Sequence, residues 1–130
     1  MADGSDNRGT GDQLGDRLGI TLTELGADRT VATMPVDGNH QPYGLLHGGA
    51  LLALGEHVGS AAANEYARPL GKVCVGVNVS ATHHRATRTG TITATAQPVH
   101  RGSRVATYAV EMRDDHGHLV STLSITCLLV

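Results

Sequence analysis

The chain has 130 residues, a net charge of -2 and 40% hydrophobic residues. It is long enough for one cored domain and lacks the basic excess of a nucleic-acid binder. It has no Trp and no Phe, so the core has to come from Val, Leu, Ile and Ala. No apolar run is long enough to span a bilayer, and the first residues, MADGSDNRGTGD, contain no apolar signal region. The two cysteines, Cys74 and Cys127, lie in strand-like runs and read as buried free thiols in a reducing cytoplasm.

Residues 1–11 are polar and glycine-rich and are expected to form a flexible tail, with a single domain over residues 12–130. Asp12–Leu18 suits a short helix. Ile20–Leu25 and Thr30–Val36 read as strands around a turn at Gly26-Ala27-Asp28. Asp37–Leu46, with its Gly, Pro and Asn, reads as a loop.

The long run His47–Ala67 is the central element. Ala, Leu and Glu favour a helix there. Leu51, Leu54, Val58 and Ala62 recur at spacings of three and four, and Pro69 stops the run. Five glycines between positions 44 and 59 cost roughly 1 kcal/mol each where they fall inside the helix. Their expected return is close approach of other backbone, as in a helix wrapped by a sheet.

Four strand-like runs follow. Val73, Val75, Val77 and Val79 alternate with Cys74, Gly76, Asn78 and Ser80. Ile92, Ala94 and Ala96 alternate with threonines. Val105–Met112 is rich in β-formers, and Leu123, Ile125, Cys127 and Leu129 alternate with Thr122, Ser124 and Thr126. Alternation with one apolar face predicts a half-buried antiparallel sheet. The short links Arg88–Gly90, His100–Arg104 and Asp114–His118 suggest a hairpin-connected meander. The expected class is α+β: a curved antiparallel sheet around one long helix. One helix cannot cover such a sheet alone, so a homo-oligomer is expected.

Several residues could carry chemistry. Glu56 is a carboxylate in an otherwise apolar or small-residue run, which is costly to bury unless it is paired or functional; the alternative is an exposed helix face. At the helix entrance, Leu46-His47-Gly48-Gly49 leaves backbone N–H groups unpaired at the positive end of the dipole. Such a site can bind an anion or a developing oxyanion, or it can be a packing feature only. Gln41 and His47 flank it with hydrogen-bonding side chains. Ser60, four residues after Glu56, shares its face. His83, His84, Arg85 and Arg88 cluster before one turn, and Arg101 and Arg104 bracket Gly102-Ser103 at another. Both groups suit phosphate, or are solvated turns. The eight histidines show no spacing for a closed zinc site, so no metal is expected. Gly48 and Glu56 are eight residues apart, or about 12 Å along a helix axis. If both act on one small carbonyl, they come from two chains, as in a two-fold dimer with two equivalent sites.

At these positions the sequence resembles a known family. Gln41-Pro42-x-Gly44-x-Leu46-His47-Gly48-Gly49-Ala50, followed by Glu56 and Ser60, is similar to the hotdog-fold acyl-CoA thioesterases of the PaaI-like superfamily. Within them it resembles the branch of the Arthrobacter-type 4-hydroxybenzoyl-CoA thioesterase and the enterobactin- and menaquinone-pathway thioesterases. The resemblance runs from about Leu18 to the C-terminus. It implies hydrolysis of an acyl- or aroyl-CoA thioester to free acid and CoA, with no cofactor beyond the CoA of the substrate.

In that family Glu56 matches the nucleophile or general base, and Gly48 the glycine whose amide polarises the thioester carbonyl. Gln41 and His47 match residues that position the thioester, and Ser60 one that orients water. His83, His84, Arg85, Arg88, Arg101, Gly102, Ser103 and Arg104 are the expected CoA contacts. The resemblance also implies a dimer with shared active sites, assembled as a dimer of dimers (a homotetramer), with neither nucleic acid nor membrane as a partner. Gly55, directly before Glu56, is a departure, expected to loosen the helix or enlarge the acyl pocket. The remaining alternatives are a non-catalytic acyl-CoA sensor or carrier on the same fold, and a hydratase, whose Asp/His pair is not seen here.

Overall fold

The computed structural model describes residues 11–130. The tail expected over residues 1–11 therefore lies, apart from Gly11, outside the described residues. The elements are α1 (Gln13–Leu18), β1 (Thr21–Glu24), β2 (Thr30–Pro35), α2 (Gly48–Ala67), a 3-10 turn (Arg68–Leu70), β3 (Cys74–His83), β4 (Thr91–Arg101), β5 (Val105–Arg113) and β6 (Leu119–Leu129). All strand pairs are antiparallel, and the six strands form one sheet in the order β1-β2-β4-β5-β6-β3. The sheet curls around α2, giving the hotdog architecture.

The sheet packs on α2 because its strands present their apolar rows to the helix. Ile92, Ala94 and Ala96 of β4, Tyr108, Val110 and Met112 of β5, and Ile125 and Cys127 of β6 are buried, as are Leu54, Val58 and Ala62 of α2. The closest approach is made by glycine. A Cβ on Gly55 would stand 2.5 Å from Leu123 Cδ1, and one on Gly59 2.4 Å from Ile125 Cγ2. These glycines are filled by β6 side chains rather than by backbone. Gly55 is buried against the sheet, so it neither loosens the helix nor opens an acyl pocket.

Two expectations are corrected. The last four strands are not a simple meander: β4, β5 and β6 are, but β3 lies at the far edge beside β6, and β4 starts against β2. Thr91 pairs with Pro35, and the Val36 N–H donates to the Gly90 carbonyl, so Arg88–Gly90 ends a crossing segment rather than a hairpin. Val73, just before β3, and the first two valines of the strand also face outward. Val73, Val75 and Val77 are 56%, 47% and 58% exposed. An irregularity between Gly76 and Asn78 shifts the register, as a bulge does, and beyond it Val79 and Ala81 pack on the core. The helix spans Gly48–Ala67 with His47 as its cap, and Asp12 caps α1.

Candidate active site

The entrance of α2 is held by a tied-down loop. The His47 N–H donates to the Asn39 carbonyl, and the Leu46 N–H to the Thr87 carbonyl. The buried Asn39 side chain donates to the carbonyls of Leu18 and Pro35 at 2.8 Å each. At the cap, His47 Nδ1 accepts from the Gly49 N–H at 2.9 Å, and the Ala50 N–H donates to the His47 carbonyl at 3.0 Å. The Gly48 N–H has no partner among the described residues. It is one unspent donor at the positive end of a 20-residue helix. Because His47 Nδ1 accepts, a neutral ring carries its proton on Nε2 and can donate it.

A cavity of about 270 Å³ opens at this amide, lined by Gln41, Gly48, Leu51, His83 and Arg85 among others. The Gln41 side-chain oxygen accepts from the Tyr43 N–H, which leaves its amide hydrogens to donate. His83 packs on Gly48: a Cβ built there would be 3.0 Å from His83 Nε2. Ser121 Oγ donates its only proton to the Thr82 carbonyl at 3.1 Å and so accepts from His83 Nδ1 at 2.9 Å. A neutral His83 therefore presents a bare Nε2 to the helix entrance. Ser121 has no distinguishing signal in the sequence, which marks His83 only as a CoA contact.

Glu56 is absent from this cavity. It is exposed on α2 and lines a separate cavity of about 200 Å³ with Leu14, Leu18, Ala53 and His57. Its Oε2 lies against Gly76 of β3, and Ser60 Oγ borders the same spot. One turn further along, Asn64 is fixed to the strand: Oδ1 accepts from the Cys74 N–H at 2.8 Å, and Nδ2 donates to the carbonyls of Ser60 and Cys74. Glu56, Ser60 and Asn64 follow at intervals of four, so the sequence held a signal for Asn64. Burial pushes the Cys127 thiol up to about 11, so it stays protonated at neutral pH and is a poor nucleophile.

The basic residues divide into two groups. His83, His84, Arg85 and Arg88 lie near the start of α2; His84 Nε2 meets Thr122 Oγ1 at 2.9 Å, and Arg85 Nε lies 3.8 Å from Asp114 Oδ2. Arg101–Arg104 lie near its end, where Tyr66 OH donates to the Gly102 carbonyl and Lys72 Nζ to the Ser103 carbonyl. Arg101 is paired with Asp28 at 2.6 Å. Gly48 and Tyr66 are separated by about 27 Å of helix axis, so one protomer does not bring the two groups together. Among the described residues no His, Cys, Asp or Glu cluster could hold a metal ion.

The wrapped sheet places the chain among known proteins. The sequence pattern described as Thioesterase superfamily matches residues 43–121. The chain belongs to the thioesterase superfamily. It is 44% identical over 108 residues to the proofreading thioesterase EntH of Cronobacter sakazakii, covering 82% of this chain and 78% of that protein. Among solved structures it is similar to a thioesterase from Haemophilus influenzae (TM-score 0.84, 35% identity, 90% of this chain and 82% of the other). It is also similar to a point variant of the phenylacetic acid degradation protein PaaI of Thermus thermophilus (TM-score 0.81, 26% identity, 90% and 98%). As a hotdog thioesterase, the protein is a thioester hydrolase. No helix among the described residues is long and apolar enough to cross a membrane.

Proposed function

We propose that this thioesterase hydrolyses an acyl-CoA to free acid and CoA at sites shared by two protomers. The observation that carries the reading is the division of the machinery. An unpartnered Gly48 amide and the donors of Gln41 and His47 sit at the helix entrance, and the Glu56 carboxylate sits about 12 Å further along the same helix. Placed against a partner's Glu56, the entrance supplies what thioester hydrolysis needs. The Gly48 N–H and the helix dipole stabilise negative charge developing on the carbonyl oxygen. Gln41 and His47 hold the thioester. Glu56 either attacks the carbonyl carbon or takes a proton from the attacking water, which Ser60 orients. His83 Nε2, facing the same entrance, is an acceptor for that water.

The unpaired edge of β3, with its outward valines, supports dimerisation through that edge. Two protomers also allow one CoA to meet both basic groups, His83–Arg88 from one copy and Arg101–Arg104 from another, and a dimer of dimers fits that division. The cavity between α1 and α2 beside Glu56, walled by Leu14, Leu18 and Ala53, suits an aliphatic acyl group.

The test is thiol release from a panel of acyl-CoA esters by the wild type and by Glu56→Gln. The variant is expected to lose at least about a thousandfold in kcat while keeping its fold and its affinity for a CoA ester. Turnover equal to the wild type would remove Glu56 from the chemistry.

A further inference from the structure

Gly76 has no conformational reason to be glycine. Its φ is not among the positive values found in the chain, and a strand ordinarily disfavours glycine. What sets it apart is what lies above it. A Cβ at this position would stand 3.1 Å from Glu56 Oε2, 3.5 Å from Ile125 Cδ1 and 3.9 Å from Ser60 Oγ. The carboxylate rests where a side chain would begin. Gly76 pairs with Cys127 across the sheet, so the rung beneath Glu56 consists of a bare backbone and a neutral thiol.

The strand is also pinned at that height. Two hydrogen bonds of Asn64 tie Cys74, two residues before Gly76, to the fifth turn of α2, and a third holds the Asn64 side chain to the Ser60 carbonyl. The register shift between Gly76 and Asn78 confines this close approach to the stretch beneath Glu56. Beyond it, the strand turns Val79 and Ala81 to the core.

We propose that Gly76 is a positioning residue: the space left by its missing side chain seats the Glu56 carboxylate, and Asn64 holds the strand so that the seat stays in place. A methyl group at position 76 would displace the carboxylate by a few tenths of an ångström or turn it to another rotamer, without unfolding an exposed edge strand. The proposal rests on Glu56 being the reacting carboxylate.

The test compares Gly76→Ala in two backgrounds. In the wild type the substitution should lower kcat on the order of tenfold, because a full ångström of misplacement of a reacting group costs about a hundredfold and a few tenths correspondingly less. KM and Tm should scarcely move. In the Glu56→Asp background, where the carboxylate is one methylene shorter and clears the new methyl, the same substitution should cost less than about twofold. An unchanged kcat for Gly76→Ala, or an equal loss in both backgrounds, would overturn the proposal. A crystal structure of Gly76→Ala reads the seat without turnover. The Glu56 carboxylate should be displaced from its wild-type position or turned to another rotamer, and an unmoved carboxylate counts against the seat. If the wild type released no thiol from any acyl-CoA, the hydrolase reading would fall, and the structure of the variant would still decide where the carboxylate rests.

Discussion

Cys127 shows how little a residue's type says about its role. A thiol close to Glu56 and Ser60 could be taken for a nucleophile. Burial, reinforced by the nearby Cys74 and Glu56 and partly offset by a hydrogen bond with Ser60, instead raises its pKa from an ordinary 9.0 to about 11. The folded state thus holds the proton more tightly than the unfolded chain. The associated stability is fully present below pH 9 and is lost as pH rises through about 11. The amount is on the order of 2 kcal/mol. Cys127→Ala should therefore flatten the fall of Tm between pH 9 and 11, measured by thermal melts across that range. Some slope will remain, because burial also raises Cys74 and Tyr108. A slope identical to the wild type would show that the thiol does not titrate as described.

The helix and the sheet are matched through absent side chains. Gly55 and Gly59 let Leu123 and Ile125 of β6 rest on α2 at distances that no Cβ would permit. Gly55→Ala should cost about 1–3 kcal/mol by overpacking, despite the higher helix propensity of alanine. Leu123→Ala should cost more alone, but the double variant should lose less than the sum, because removing the leucine clears the methyl. Denaturant unfolding of the four proteins measures this coupling, and strict additivity would show that Gly55 and Leu123 do not press on each other. The run of small residues in α2 was visible in the sequence, but which strand filled each gap was not. That depended on β6 lying between β5 and β3, a pairing of distant segments that local alternation does not encode.

At the scale of the whole molecule, the central matter is that the residues proposed for the site do not meet within one chain. Gln41, Gly48 and His83 share a cavity that Glu56 does not line. If two copies complete each site, two inactive variants should rescue each other. Mixing equal amounts of Glu56→Ala and Gln41→Ala after co-refolding should restore about a quarter of wild-type activity. Half the dimers would then be mixed, each with one intact site out of two. Activity no higher than that of the separate variants would show that each chain works alone.

The sequence by itself determined the local elements and the list of candidate groups. Helix periodicity, the proline that stops the run, strand alternation and the spacing from Gln41 through His47 and Gly48 to Glu56 and Ser60 are all short-range properties of the chain. The tertiary structure decided the rest: β3 at the far edge, its first valines facing outward, the basic residues divided between the two ends of α2, and Gly76 beneath the carboxylate. Each of these depends on which distant segments pair, and a shift of one residue in register, as at Gly76–Asn78, exchanges the faces of a strand. Only the folded sheet specifies that shift.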